Sequence, residues 1–240
     1  MTATTGTSSL CEASKSYAID GLPGVAKVPG RLRLYLRGIM EASITSRTTD
    51  MVGVISRVAG LCYGKDDKSL KRLRSCYMAG HTGILEHASI SFIVSGISRS
   101  CSHQLVRHRL ASYCQESQRY CKYDLSGDEW YVVPEKLRGD SGRLDRYKSV
   151  MRVCADEYKS LLDAGYRPED ARFALPESTK TSIFVTMDVR SLFHFFDLRL
   201  GEHAQWEVRE LAKEMLEQLR SVEPELTGVY EEFRDKTKID

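Results

Sequence analysis

Nowhere in these 240 residues does an uninterrupted apolar run approach the roughly 18 to 20 residues that a membrane-spanning helix requires, so no transmembrane segment is expected. The opening stretch, Met1 to Ser16, is rich in Thr and Ser, lacks the apolar region of a signal peptide, and reads as a mobile extension. Cysteine occurs seven times, an odd number, with no C-x-x-C pair. That disfavours a disulfide framework and a zinc ribbon alike, and a reducing cytoplasm is the expected compartment. A formal net charge of only +2 excludes the global basic field of a protein that coats long nucleic acid.

Several familiar catalytic and binding signatures are missing as well. No G-x-G-x-x-G occurs, and Gly60 to Lys65 is one spacer residue short of a phosphate-binding P-loop. Gly96-Ile97-Ser98-Arg99-Ser100 lacks the second glycine of a nucleophile elbow, and no cysteine has a setting that marks it as activated. His81 and His87 are six residues apart and His103 and His108 five, so neither pair shares a helical face as zinc-binding histidine pairs do. No metal site is expected, and any phosphate must be held mainly by side chains.

What is present suits one sizeable core: 42% of the residues are hydrophobic and 28% charged. Residues 1–30, with Pro23 and Pro29 near their end, read as an extension and linker, and residues 31–240 as a single folded domain. Alternation over Arg31 to Arg37 predicts a strand. Asp50 is positioned to cap a helix carrying Met51, Val54, Ile55, Val58 and Leu61, with a second short helix over Lys68 to Met78 ended by Gly80. A strand over Ala88 to Val94 leads into a helix over Ser98 to Arg109, on which Gln104, Arg107 and His108 share a face, and Leu110 to Tyr120 reads as a polar loop.

Further on, Trp130 to Val133 predicts a strand stopped by Pro134, and Arg143 to Leu162 a helix closed by Gly165. Pro168 opens a short helix, Thr179 to Thr186 is a strand, and Asp188 caps a helix through Leu198. A last helix runs from His203 to Leu219, burying Ala204, Val208, Leu211, Met215 and Leu219. Strands and helices do not alternate regularly, so the expected fold is α+β, a mostly antiparallel central sheet flanked by helices, rather than a doubly wound sheet.

The segment from Gln104 to Tyr120 concentrates three arginines, a histidine, two serines and two tyrosines. Guanidinium groups match phosphate oxygens, hydroxyls fill remaining acceptor sites, and tyrosines offer stacking faces. By composition alone this is equally a solvated loop with helix-end charges, or part of a non-catalytic nucleotide-binding or RNA-binding module. Arg190, His194 and Asp197, at i, i+4 and i+7, are equally the exposed stripe of their helix.

Order and spacing say more. Arg107-His108-Arg109, seven intervening residues, Ser117 and then Arg119-Tyr120 resemble the R-H-R-x7-S signature of the flavin-dependent thymidylate synthases. His81 with Glu86-His87, Ala171-Arg172 with Leu175-Pro176, Arg190-Ser191-Leu192 with His194, Leu198-Arg199 and His203-Ala204-Gln205-Trp206-Glu207 follow in that family's order, over roughly residues 31–230.

The resemblance implies a homotetramer of α+β subunits with FAD in sites shared between chains. It implies methylation of dUMP to dTMP with 5,10-methylenetetrahydrofolate and NADPH, without a covalent enzyme nucleophile, and no nucleic-acid or membrane partner. It places Gln104, Leu105, Val106, Arg107, Gln115, Glu116, Ser117, Gln118, Arg119, Arg172 and Arg199 at dUMP. At FAD it places His81, Gly83, Glu86, Arg107, His108, Arg109, Asp188, Val189, Arg190, His194 and His203. Arg199 resembles the family's catalytic residue, which favours ionisation of the uracil at N3; a permanent charge in a shielded site stabilises negative charge on the ring.

Three positions depart from the family pattern. Gly83 replaces a usual Ser or Thr and removes one hydroxyl. Asp188 replaces a frequent Asn, and a carboxylate accepts but cannot donate as an amide does. Cys114 replaces a frequent Asn or Ser and is expected to be a tolerated packing change open to oxidation.

Overall fold

The computed structural model describes residues 39–237; the expected extension, linker and strand over Arg31 to Arg37 lie outside the described residues. The frame is a four-stranded antiparallel sheet built from β1 (Glu41–Arg47), β2 (Ser89–Ser98), β3 (Ser112–Gln115) and β4 (Lys180–Asp188), in the order β1-β2-β4-β3. With its helices this is the expected α+β architecture. β2 has a neighbour on each side and is buried almost continuously from Phe92 to Ser98. Its register with β4 shifts between Val94 and Ile97, where Gly96 takes a φ of 72° that side chains rarely adopt, as a bulge requires.

Helices α1 (Met51–Leu61) and α2 (Leu70–Met78) form as expected. The Asp50 carboxylate accepts from the Gly53 N–H at 3.0 Å and the Ser69 hydroxyl from Arg72 N–H at 3.3 Å, each filling an otherwise orphaned helix donor. The buried face of α1 carries Met51, Ile55 and Ala59, while Leu61 is 77% exposed and lies off the expected stripe.

The predicted helix from Ser98 to Arg109 is shorter, α3 (Arg99–Leu105). The Tyr113 hydroxyl lies 2.9 Å from the Leu105 carbonyl and 2.7 Å from that of His108, gathering the chain into a turn there. That turn lets Ser112 to Gln115 pair with Thr186 to Ile183 of β4, so the predicted polar loop contains the edge strand β3. Tertiary pairing outweighs a weak local preference. Arg107 and His108 therefore leave the helix and do not share a face: Arg107 is exposed and His108 buried.

The strand expected over Trp130 to Val133 reduces to one bridge, Tyr131 with Thr179. A short α4 (Glu135–Arg138) follows Pro134, then the long α5 (Ser141–Asp163), capped by Asp140. Pro168 opens α6 (Pro168–Ala171), which tightens into a 3-10 turn over Arg172–Ala174. Asp188 caps α7 (Val189–Arg199) through Ser191 N–H at 2.8 Å.

Helix α8 (Trp206–Val222) begins three residues after His203, at a Gln205 cap, so Ala204 precedes the helix while Val208, Leu211, Met215 and Leu219 are buried as expected. α9 (Pro224–Thr237), which the sequence reading lacked, starts with Pro and Glu, the composition of a first turn.

The sheet, α1, α2 and α7 to α9 enclose the main core, where fully buried Phe195 and Phe196 each contribute roughly 1.5–3 kcal/mol of burial. A second, tyrosine-rich cluster lies against α5, around Tyr123, Trp130, Tyr131, Met151 and Tyr158. Among the described residues no helix is long and apolar enough to cross a membrane.

Candidate active site

The antiparallel register of β2 and β4 sets Ser89 beside Asp188, so the 3-10 helix Thr82–His87 that precedes β2 lies beside the start of α7. Glu86 and Arg190 consequently form an ion pair. The turn after α3 brings the His108 ring to 5.7 Å from His194 and 5.6 Å from Phe195. Four of the residues expected at FAD, Glu86, His108, Arg190 and His194, thus come together from three separate segments.

His108 is 4% exposed, and its Nε2 has no hydrogen-bond partner. Burial lowers its pKa from the ordinary histidine value, against a hydrogen bond to the Ser191 backbone that raises it, so the ring is neutral at neutral pH. Arg107 and Arg109 flank it, exposed and without an ion-pair partner among the described residues. His81 and His203 are exposed too.

A Cβ added to Gly83 meets nothing within 4 Å, so that departure leaves open space and no close approach requires glycine there. The Asp188 carboxylate is occupied by Ser191, accepting from its N–H and its hydroxyl at 2.8 and 2.9 Å. Val189 is fully buried, which leaves only its backbone for a ligand.

The other end of the segment meets a different neighbourhood. Gln115 Nε2 donates to Ser102 Oγ at 2.8 Å and Thr181 Oγ1 at 3.2 Å, tying β3 to α3 and β4. Burial raises the Glu116 pKa while the Arg99 charge and a Ser182 backbone bond lower it. Ser117 closes a turn, its hydroxyl accepting from Arg119 N–H at 3.2 Å. Arg119 reaches the Glu169 carboxylate through Nε at 3.0 Å and Nη2 at 2.9 Å, and Arg167 pairs with the same carboxylate at 2.9 Å. Arg172 Nε donates to the Glu169 carbonyl at 3.1 Å.

Two guanidiniums on one carboxylate, with a third on the same residue's backbone carbonyl, leave a local excess of positive charge suited to a phosphate dianion. Beside them lies a cavity of about 300 Å³ bordered by Arg99, His103, Gln118, Arg172, Phe173 and Pro176. Gln118 is 8% exposed, and its amide nitrogen has no partner. Sequence reasoning missed Arg99 and His103 as site residues, although their i, i+4 spacing puts them on one face of α3.

Arg199 sits between the two ends. From the last turn of α7 its Nη2 donates to the Gln104 carbonyl at 3.3 Å, while its Nε is buried without a partner. Leu105 is fully buried and Val106 exposed, so of the two only Val106 presents a side chain outward. The far end of α3 is held by Glu207, whose carboxylate accepts from Ser98 N–H at 2.7 Å and Ser98 Oγ at 2.6 Å. The His203-to-Glu207 stretch is thereby explained in part as scaffold: Gln205 Oε1 caps α8, accepting from Glu207 and Val208 N–H at 3.0 and 3.1 Å.

Comparison with known proteins shows the family. The family model described as "Thymidylate synthase complementing protein" matches residues 43–225. A flavin-dependent thymidylate synthase of Geobacter sulfurreducens is 44% identical over 207 residues, covering 82% of this chain and 86% of that protein. One of Pyrococcus furiosus is 50% identical over 141 residues, 58% of each chain. In three dimensions, the crystal structure of the UMP/dUMP methylase PolB from Streptomyces cacaoi with 5-Br dUMP superposes with a TM-score of 0.72 at 23% identity, over 82% of this chain and 96% of that one, which bears on the fold alone. With the family model matched over residues 43–225 and a relative 44% identical over most of both chains, this protein belongs to the thymidylate synthase complementing protein family, that of the flavin-dependent thymidylate synthases.

Proposed function

We propose that this chain methylates dUMP to dTMP, taking the carbon from 5,10-methylenetetrahydrofolate and the hydride from FAD reduced by NADPH. The observation that carries the reading is Arg199: a permanent cation with a buried, unpartnered Nε, backed onto the carbonyl of Gln104 between a phosphate-suited cluster and a flavin-suited one.

The residues fit FAD by their donor chemistry. Arg107 and Arg109, without an ion-pair partner among the described residues, offer guanidiniums for the paired phosphates, and His108 and His194 offer ring faces and nitrogens. When bound, the flavin supplies the hydride that turns a transferred methylene into a methyl group. At the nucleotide, Gln118, Arg119 and Arg172 take the phosphate, and Gln104, Gln115 and Ser117 supply polar contacts to the rest. Arg199 stabilises negative charge on the uracil as N3 loses its proton, which makes C5 nucleophilic without an enzyme adduct.

Four copies assemble, in this reading, so that each flavin is shared. What supports this is that the flavin-suited residues His81, Arg107, Arg109, Arg190 and His194 all lie on the exposed surface of the single chain, where a dinucleotide has nothing to cover it.

The purified protein is expected to be yellow and to convert dUMP to dTMP only when NADPH and methylenetetrahydrofolate are both present. A colourless protein that takes up no FAD and forms no dTMP defeats the reading and favours a non-catalytic nucleotide- or RNA-binding module.

A further inference from the structure

We infer that Glu207 is a positioning residue for the methylation: by clamping the start of α3 it fixes the carbonyl that aims Arg199. This rests on the proposed function above. Arg199 ends α7 and Glu207 lies in the first turn of α8, so the two flank a single short connection, and each grips α3 at a different end. Glu207 holds the start, where its carboxylate accepts from Ser98 N–H at 2.7 Å and from Ser98 Oγ at 2.6 Å. The same hydroxyl accepts from Cys101 N–H at 2.9 Å, so one side chain joins the acid to the first turn of the helix. Arg199 meets the other end, at the Gln104 carbonyl.

Two observations make this more than a tether. Arg199 makes one hydrogen bond among the described residues, 3.3 Å long, so its guanidinium is placed no better than the carbonyl it rests on. That carbonyl belongs to a helix of seven residues, too short to hold its place unaided. Arg99 N–H and Ser100 N–H tie α3 to the Thr179 and Glu177 carbonyls at 2.9 and 3.0 Å, on the β4 side. Glu207 supplies the tie to α8, and hence to the stretch of chain that carries Arg199. The same helix supports a second residue read at dUMP, since Gln115 Nε2 donates to Ser102 Oγ at 2.8 Å.

The second observation is that Glu207 is an acid where capping needs none. It is 4% exposed and has no cation within ion-pair distance among the described residues, and burying an acid in this way is costly. The Ser98 hydroxyl already caps α3 without it. Burial and the Glu207 charge push the Cys101 thiol up while the Arg199 charge pulls it down, so acid and guanidinium both lie close to this one fully buried residue of α3.

The test measures turnover per bound flavin, below the melting temperature of each variant, together with hydrogen exchange of the α3 amides. Glu207→Ala is expected to lower kcat by roughly tenfold or more with FAD retained, and to speed exchange over Arg99 to Leu105. Glu207→Gln, whose amide can accept from Ser98 N–H and donate to Ser98 Oγ, restores kcat to within about threefold of wild type and slows exchange again. In an Arg199→Ala background, Glu207→Ala lowers the residual turnover by less than about twofold, because its effect passes through Arg199. An unchanged kcat per flavin in Glu207→Ala, or the same fold-loss with and without Arg199, overturns the inference and leaves Glu207 a structural residue. Wild-type protein that forms no dTMP instead defeats the proposed function, and the inference with it.

Discussion

The two ends of the segment from Gln104 to Tyr120 stand in opposite electrostatic states. At one end Arg107 and Arg109 are exposed and carry no ion-pair partner among the described residues, around a buried neutral His108. At the other, Arg119 is already held by Glu169, and the open donors are withdrawn into a cavity with Gln118 and Arg172. The first end is a bare cationic surface that a large dianionic cofactor and a neighbouring chain can cover. The second is a preformed recess whose charge is partly balanced before substrate arrives. Preorganisation of this kind reduces the ordering cost of binding, which suits a small substrate that must come and go.

The sharpest break in this comparison is at the point between the ends. Arg199→Ala is expected to lower turnover by about 100- to 1000-fold with flavin content retained, because the charge acts on the reacting ring and not on either phosphate site. Wild-type turnover in that variant removes the assigned role. Next, truncating Arg107 or Arg109 to Ala forfeits charge-assisted hydrogen bonds worth about 1.5–3 kcal/mol, so FAD retention after gel filtration falls by roughly tenfold or more while dUMP titrations respond less to the Arg109 change. Equal effects of Arg109→Ala on both ligands erase the distinction between the ends.

The scaffold beneath both ends gives a stability prediction. Burial raises the Glu207 pKa above its ordinary 4.5, outweighing the two Ser98 hydrogen bonds that lower it. The folded chain therefore keeps this proton to higher pH than the unfolded chain does. The resulting contribution to stability is complete below about pH 4.5 and is lost as pH rises through the raised value. Glu207→Gln, uncharged throughout, is expected to flatten the pH dependence of the melting temperature above pH 4.5; an unchanged slope refutes the point. Glu207→Ala strands the Ser98 donors and costs about 1–3 kcal/mol in a denaturant titration.

The smallest effect expected is at the balanced end. Glu169→Gln removes the carboxylate that competes with phosphate for Arg119, and since exposed ion pairs are worth about 0.2–1 kcal/mol, dUMP affinity should rise about two- to fivefold. A loss of affinity instead means that Glu169 serves mainly to aim Arg119.

Much of the fold was legible where local chemistry decides. Asp50 and Asp188 cap the helices that the sequence assigns to them, and Gly80 and Gly165, with φ of 83° and 89°, follow the ends of α2 and α5. Motif order also grouped Glu86 with Arg190 and His108 with His194, which the fold brings into an ion pair and a ring contact. Three features were not legible. The helix through Arg109 stops at Leu105 because Tyr113 takes its carbonyls, β3 exists only because β4 offers it an edge, and Arg99 gains its interest from a cavity closed by residues some seventy positions later.

By itself the sequence determined which charged and hydrogen-bonding groups this protein can bring to a ligand, and in what order along the chain, because spacing and capping are local properties of the backbone. Only the tertiary structure decided which of those groups are buried, paired or left open. Arg107, Arg109 and Arg119 look alike in one dimension, but charge balance depends on neighbours distant in sequence: Glu169 reaches Arg119 from fifty residues away and reaches neither of the others.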